Sequence, residues 1–301
     1  MVRLRTLVQT LVAFGTNAYL LFPFGGSVIY QGPLKAVCHP GLNCYSCPGA
    51  LLSCPVGAFQ NFLASIRFHT PGAIPHPGAI VVGYLGFIGT MVGRLPCGWL
   101  CPFGFIQDLL HKIPVRKFSL WQPLRWVKYG VLAVLVVILP LWLVDSSGLG
   151  FPWFCKLLCP AGTLEGALPL ILLKPSLWAT LGFYFWNKIT ILTLLLILMI
   201  FISRPFCRML CPLGAFYSLF TRMTLVHLEF IEGNCVECGA CTRKCPTGVK
   251  PTQEFDSPEC IMCLKCLDAC QFRALQFGIR RPPAPEKIRA VLTPVKPRKK
   301  A

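Results

Sequence analysis

The chain carries two cysteine blocks near its C-terminal end, CVECGACTRKCP (Cys235, Cys238, Cys241, Cys245, with Pro246 following) and CIMCLKCLDAC (Cys260, Cys263, Cys266, Cys270). Each has the C-x2-C-x2-C-x3-C spacing in which three close thiolates hold three corners of a four-iron cubane and the fourth reaches to the other block's cluster. The rule assigns Cys235, Cys238, Cys241 and Cys270 to one [4Fe-4S] cluster and Cys260, Cys263, Cys266 and Cys245 to the other. Zinc is the competing reading, since paired C-x2-C units also make tetrahedral sites. It leaves the third and fourth cysteine of each block unexplained. One departure is visible: Gln271, not proline, follows Cys270.

A second motif repeats upstream. GRLPCGWLCPFGFIQDLL (from Gly93) recurs as SRPFCRMLCPLGAFYSLF (from Ser203), which aligns Cys97 and Cys101 with Cys207 and Cys211. A third copy, FCKLLCPAGTLEGAL, supplies Cys155 and Cys159. Cys54 opens a degenerate fourth C-P-x-G within CHPGLNCYSCPGALLSCPVG, which also holds Cys38, Cys44 and Cys47. Proline after the second cysteine suits a first helical turn, so the cysteines are expected at helix N-termini. There, free N–H groups and the positive end of the helix dipole favour a thiolate cluster. Cys97, Cys101, Cys207 and Cys211 make four thiolates for a third cluster, on a face where stable disulfides are not expected. The remaining six cysteines exceed one cubane. Cys44, Cys47 and Cys54 are the tighter group and Cys155 and Cys159 the better match to the repeat; a disulfide among them is an open alternative. Two-iron centres are a further alternative at either membrane site.

The elements that must position these thiols are apolar. Of 301 residues, 54% are hydrophobic and 13% charged, where a soluble domain carries about 25% charge. Four stretches approach the roughly 20 residues that a bilayer crossing takes: Thr6 to Phe24, Pro77 to Val92, Trp126 to Val144 and Phe185 to Ile202. Ala161 to Leu173 is too short and reads as a re-entrant or half helix. The first span lacks an A-x-A-like cleavage site and is read as retained. Eight of the eleven acidic residues lie from Glu229 onward, which separates a membrane part, 1–224, from a ferredoxin-type part, 225–280, and a basic, proline-rich tail, 281–301, expected to be disordered. The tail is either a solvated end or a contact with anionic lipid.

Arg94, Lys112, Arg116, Lys117, Arg125 and Lys128 in one loop, and Arg204, Arg208 and Arg222 after the last span, put both segments on the cytoplasmic side, with the N-terminus and the ferredoxin part. The net charge of +18 fits this orientation. No reader motif accompanies it, so nucleic acid is not an expected partner. Within the apolar part, Glu165 is an ionisable group at membrane depth and a candidate proton relay to a quinone, or else an interfacial carboxylate favoured by a helix dipole. His69 and His76 are candidate proton acceptors or ligands. There is no C-x-x-C-H for covalent haem and no nucleophile elbow, phosphate loop or zincin motif, so no catalytic residue is expected.

The repeated C-x3-C-P motifs, the four or five apolar stretches and the two trailing blocks together resemble membrane ferredoxins of the NapH/MauN type and the C-terminal membrane portion of NosR-like proteins, from about Gly78 to Gly278. The resemblance implies electron transfer between the quinone pool and redox partners on either side of the cell membrane, without independent catalysis. The extra outer cysteines and the third C-x3-C-P depart from the simple NapH pattern. The expectation is a membrane all-α bundle with a C-terminal α+β two-cluster ferredoxin-like domain. Its function is a relay between the quinone pool, or an extracytoplasmic partner, and a cytoplasmic redox partner. The alternative is an accessory or regulatory protein that supplies electrons or metal for maturation of a separate metalloenzyme.

Overall fold

The computed structural model describes residues 2–20, 27–65, 76–144, 150–254 and 256–279. His69 and the basic tail fall outside them. From the N-terminus come α1 (Val2–Thr16), α2 (Pro55–Ser65), α3 (His76–Val92), α4 (Leu95–Trp99), α5 (Pro102–Leu110), α6 (Val127–Val131), α7 (Leu139–Trp142), α8 (Trp153–Leu157), α9 (Leu168–Leu173), α10 (Phe183–Phe201), α11 (Pro205–Met209) and α12 (Pro212–Phe220). The C-terminal part follows as β1 (Val226–Phe230), α13 (Ala240–Lys244), α14 (Lys265–Ala269) and β2 (Leu275–Ile279), with β1 and β2 paired antiparallel, Val226 opposite Ile279.

Among the described residues, two helices are long and apolar enough to cross a membrane, Gln122–Trp142 and Phe183–Phe201, with only 22% and 17% of their most apolar windows covered by protein. Trp142, Phe183, Trp186 and Leu194 stand exposed along them. The expected first span is helical only to Thr16 before a turn at Asn17, and residues 21–26 lie outside the described set. The expected second span, α3, has 17 residues. The apolar stretch expected at Ala161 to Leu173 forms a short helix, as its length required.

Two helices change pitch for a reason written in the sequence. The backbone widens to π-helix over Leu132–Ile138 and again over Gly162–Ala167, where the Leu139 and Leu168 N–H groups reach back to Val134 O and Thr163 O. In each case a proline, Pro140 or Pro169, lies two residues past the end of the widened turn. Proline cannot donate, and its ring crowds the carbonyl four residues back, so a wider turn just before it relieves the clash.

Two apolar cores form. One is built from α3, α5, α10 and α12 around Phe103, Met199, Phe206 and Tyr217, and the other from Leu228, Met262, Leu264 and Leu275, onto which Leu95 and Trp99 of α4 pack. The seam between them is ionic. Glu259 pairs with Arg94 at 3.2 Å and with Lys128, whose side chains are fully buried. Asp108 binds Arg204 through two oxygens, at 2.9 and 2.5 Å, and also pairs with Arg5. Burial alone would raise the Asp108 carboxyl, but Arg204 and Arg5 outweigh it and hold it well below the usual carboxylate range. A depressed folded pKa contributes stability above the unfolded value of about 3.9 and loses it as pH falls below, so this network persists through neutral and mildly acidic conditions.

Removing one member of a buried ion network leaves uncompensated charge, at a cost of about 3 kcal/mol or more. Asp108→Asn, which strands Arg5 and Arg204, is expected to lower the melting temperature in detergent sharply at pH 7. Glu229→Gln, whose side chain is 49% exposed and 3.8 Å from His227, should shift it by less than about 0.5 kcal/mol equivalent. Equal melts for the two variants would refute the assigned importance of the Asp108 network.

Candidate metal-cluster sites

The four C-P-x-G copies fold alike. Cys101, Cys211 and Cys159 each accept the N–H of the glycine three residues on, Gly104, Gly214 and Gly162, at 3.3 Å. Cys54 precedes Pro55 at the start of α2 and accepts from Gly57 N–H. Each cysteine thus occupies an N-cap position with the proline inside the first turn, where its missing N–H costs nothing. In three of the copies the glycine sits in a tight space. A Cβ on Gly104 would lie 3.1 Å from Cys97 O, one on Gly214 3.1 Å from an Arg94 nitrogen, and one on Gly57 2.9 Å from the Tyr45 ring.

Cys97, Cys101, Cys207 and Cys211 come within charge–charge range in every pairing and are all buried. Around them the two copies of the repeat are cross-braced. Arg94 of the first reaches Cys207 O at 3.2 Å, and Arg204 of the second reaches Cys97 O at 2.7 Å. α5 packs on α10 and α12 on α3, so each motif's short helix docks on the span that leads into the other. Gln107, fully buried, donates to Cys207 Sγ at 3.0 Å.

In the ferredoxin part, Cys245, Cys260, Cys263 and Cys266 also approach one another in every pairing and line one small cavity. Cys235, Cys238, Cys241 and Cys270 line another. These are the two sets the spacing rule assigns. The loops between cysteines adopt left-handed backbone at matching positions: Glu237 and Met262, then Gly239 and Leu264. Successive amides in such conformations turn inward and make anion-binding nests. Left-handed backbone at the buried leucine, Leu264, persists only where the surroundings impose it. Burial pushes the Cys260 thiol up to about 12, so iron must displace a proton to bind there.

Of the six outer cysteines, four converge. Cys44, Cys54, Cys155 and Cys159 are mutually within charge–charge range and all line a cavity of about 430 Å³. Cys47 turns to Asn17 Oδ1 at 3.6 Å. Cys38 sits in a bridge to Ser53, its carbonyl accepting from Tyr84 at 2.7 Å. The tighter sequence group, Cys44 with Cys47 and Cys54, is therefore not the one that lines the cavity: Cys47 stays within charge–charge range of Cys44 but is absent from the cavity wall. Glu165 accepts the Cys44 N–H at 3.1 Å, while its other oxygen is buried without a partner. His76 begins α3, and its side chain lies outside the described ones.

Among the described residues no three His, Cys, Asp or Glu side chains close tightly enough for a single metal ion. Residues 53–71, 75–120 and 185–230 match the family model described as a 4Fe-4S binding domain. The uncharacterized protein MJ0750 of Methanocaldococcus jannaschii is 34% identical over 192 residues, covering 62% of this chain and 73% of its own length. The ferredoxin-type protein NapH of Haemophilus influenzae is 24% identical over 231 residues (70% and 71%), and the methylamine utilization ferredoxin-type protein MauN of Methylobacillus flagellatus 26% over 178 residues (56% and 53%). The chain belongs to the NapH/MauN-type ferredoxin family. No solved structure matches it. The matched stretches contain Cys54, Cys97, Cys101, Cys207 and Cys211, and 4Fe-4S binding is the chemistry the family model describes.

The sites adjoin. A Cβ on Gly98 would stand 2.4 Å from Ile261 O, and Cys263 Cα lies 3.8 Å from the same point. Trp99 Nε1 donates to Met262 O at 2.9 Å. The inner NapH/MauN-type motif therefore rests directly on the second ferredoxin block. On its other side Cys101 Sγ meets Leu42 O at 3.8 Å, and Cys44 follows two residues on, a chain distance of at most about 7 Å. Sequence reasoning missed Arg94, Arg204, Gln107 and Gly98. The two arginines were readable, since each stands three residues before the first cysteine of its repeat copy; Gln107 and Gly98 have no counterpart in the second copy.

Gly98→Ala is expected to retain the iron content of the wild type while weakening the magnetic interaction between the inner site and the second ferredoxin cluster in reduced-protein EPR. Unchanged relaxation and line broadening would contradict the direct contact.

Proposed function

We propose that the protein is a membrane-bound electron-transfer component that passes electrons one at a time between a donor at the outer side, a quinol or an extracytoplasmic redox protein, and an acceptor in the cytoplasm, or in the reverse direction. The observation that carries this reading is continuity. Cys101 touches the loop that leads to Cys44, and Gly98 and Trp99 touch the loop that holds Cys260 and Cys263. When bound, a [4Fe-4S] cluster supplies a one-electron carrier. The chain's part is to hold the thiolates, exclude water and set the spacing.

In this reading Cys97, Cys101, Cys207 and Cys211 hold an inner membrane cluster, and the two ferredoxin blocks hold one cluster each. Cys238 is exposed, so the first block is the end of the chain of sites that meets a cytoplasmic partner. On the same reading the chain divides into a membrane part, 1–224, and a ferredoxin part, 225–280, joined where Ile261 enters the first core and Leu95 and Trp99 pack on the second. In this reading α1 and α3 join the two long apolar helices as four crossings, which puts the N-terminus and the ferredoxin part on one side of the membrane, the cytoplasm. The cation-rich segment 94–128 supports that orientation. Glu165 is the carboxylate placed to meet a quinone or a proton at the outer end.

The test is anaerobic purification of the wild type and of Cys97→Ser/Cys207→Ser, with iron and sulfide analysis and with a quinol analogue added to membrane vesicles. The variant is expected to lose about four irons, keep the ferredoxin EPR signals, and fail to reduce those clusters from quinol. Equal iron in both proteins, or equally fast reduction, would overturn the relay.

A further inference from the structure

We infer that a second membrane cluster is held by Cys44, Cys54, Cys155 and Cys159, and that Cys38 and Cys47 are not ligands. The inference rests on the relay reading and extends it outward. Three of these four cysteines, Cys44, Cys155 and Cys159, lie outside the stretches that match the 4Fe-4S family model, so the site is an addition to what that model covers.

The fit is built from independent features. The four thiols line one cavity of about 430 Å³. Two of them, Cys54 and Cys159, are N-cap cysteines of C-P-x-G turns and accept amide N–H groups as Cys101 and Cys211 do at the inner site. Glycines keep the wall bare: a Cβ on Gly166 would stand 3.2 Å from Cys44 Sγ, and one on Gly162 3.7 Å from it. Of the two, Gly166 is the tight position: a side chain there would press on the Cys44 sulfur.

Charge is provided for as well. Four thiolates carry more negative charge than an iron core offsets, and a low-dielectric surround makes the excess costly. The inner site meets this with Arg94 and Arg204. Lys156 and Lys188 line the outer cavity, and Lys188 is within charge–charge range of Cys155. Two buried polar groups beside the site have unmet valences, the Asn43 side-chain amide between Leu42 and Cys44 and the free Glu165 oxygen. The Asn43 N–H groups are donors of the kind that stabilise cluster sulfur.

Both π-helical stretches also bear on this site. Gln60, fully buried, donates to Leu135 O in one of them and accepts from Cys155, while the other contains Glu165, which takes the Cys44 N–H. Local π-helix is frequent where a backbone is shaped for function.

The experiment compares anaerobically purified wild type with Cys155→Ser/Cys159→Ser, Cys38→Ser and Cys47→Ser, by iron and sulfide content and by EPR of the dithionite-reduced proteins. Four clusters give about 16 irons in the wild type. The double variant should fall to about 12 with the loss of one signal, and the two single variants should stay at about 16. Wild type at about 12 irons, a double variant with unchanged iron, a loss of iron in Cys38→Ser or Cys47→Ser, or a disulfide among the outer cysteines in mass spectra of the unreduced protein would each overturn the assignment. The wild-type count needs no variant to fold. Cys97→Ser/Cys207→Ser, run in parallel, separates the two claims, since its iron loss upholds the relay even where the outer assignment fails.

Discussion

Anionic sulfur in an apolar interior needs compensation, and the architecture of the membrane part follows from how that is met. A thiolate at a helix N-cap gains two or three amide donors and the positive end of a dipole without any added side chain. C-P-x-G is the shortest local sequence that delivers this: cysteine caps, proline starts the turn without wasting a donor, and glycine lets the neighbouring motif close in. Because one such turn supplies one capped thiolate and a second cysteine one turn earlier, a four-thiol site requires two motifs brought face to face. The pairing of Cys97 and Cys101 with Cys207 and Cys211 is the result.

Full cation compensation is a separate requirement, and the inner site meets it with crossed arginines. Arg94 and Arg204 bind the backbone of each other's motif, so neither half can settle without its partner. Each arginine is in turn anchored by a carboxylate, Glu259 for Arg94 and Asp108 for Arg204. Glu259 belongs to the ferredoxin part, directly before Cys260. The same guanidinium that stabilises sulfur in the membrane part therefore also docks the soluble part, which couples the assembly of one site to the placement of the next. Planar, permanently charged guanidinium suits this double duty better than an ammonium would.

The two groups of ferredoxin cysteines that the structure brings together were legible because their spacing follows a rule of local geometry, and Cys245 beside the second block needs no knowledge of the fold. The inner quartet was legible from the repeat, since two copies of one motif imply two halves of one site. The outer quartet was not. Its members come from a loop, from the start of α2, from α8 and from the turn before Gly162, and only the tertiary fold shows that Cys44 comes near Cys155 while the Cys47 thiol meets Asn17. Helices long and apolar enough to cross a membrane were read from apolar length, which finds Gln122–Trp142 and Phe183–Phe201 readily. In the first span the described helix stops at Thr16 although the apolar run goes on, because the chain turns at Asn17, whose side-chain amide donates to Ala13 O.

The short helices also explain why this chain needs so few long ones. A helix that begins at a C-P-x-G turn starts at its cysteine and extends away from it, so an N-terminal amide is given to sulfur and its far end must find other partners. α5 and α12, each nine residues, do this against α10 and α3. Half-length helices are costly in lipid because their ends strand polar backbone, and here one end is satisfied by the thiolates themselves. The sulfur sites are thus structural elements of the apolar part as well as its chemistry. The carbonyl at the end of the adjoining loop, Leu42 O, meets Cys101 Sγ, which ties the loop carrying Cys44 to the inner site and fixes the spacing across which an electron would move.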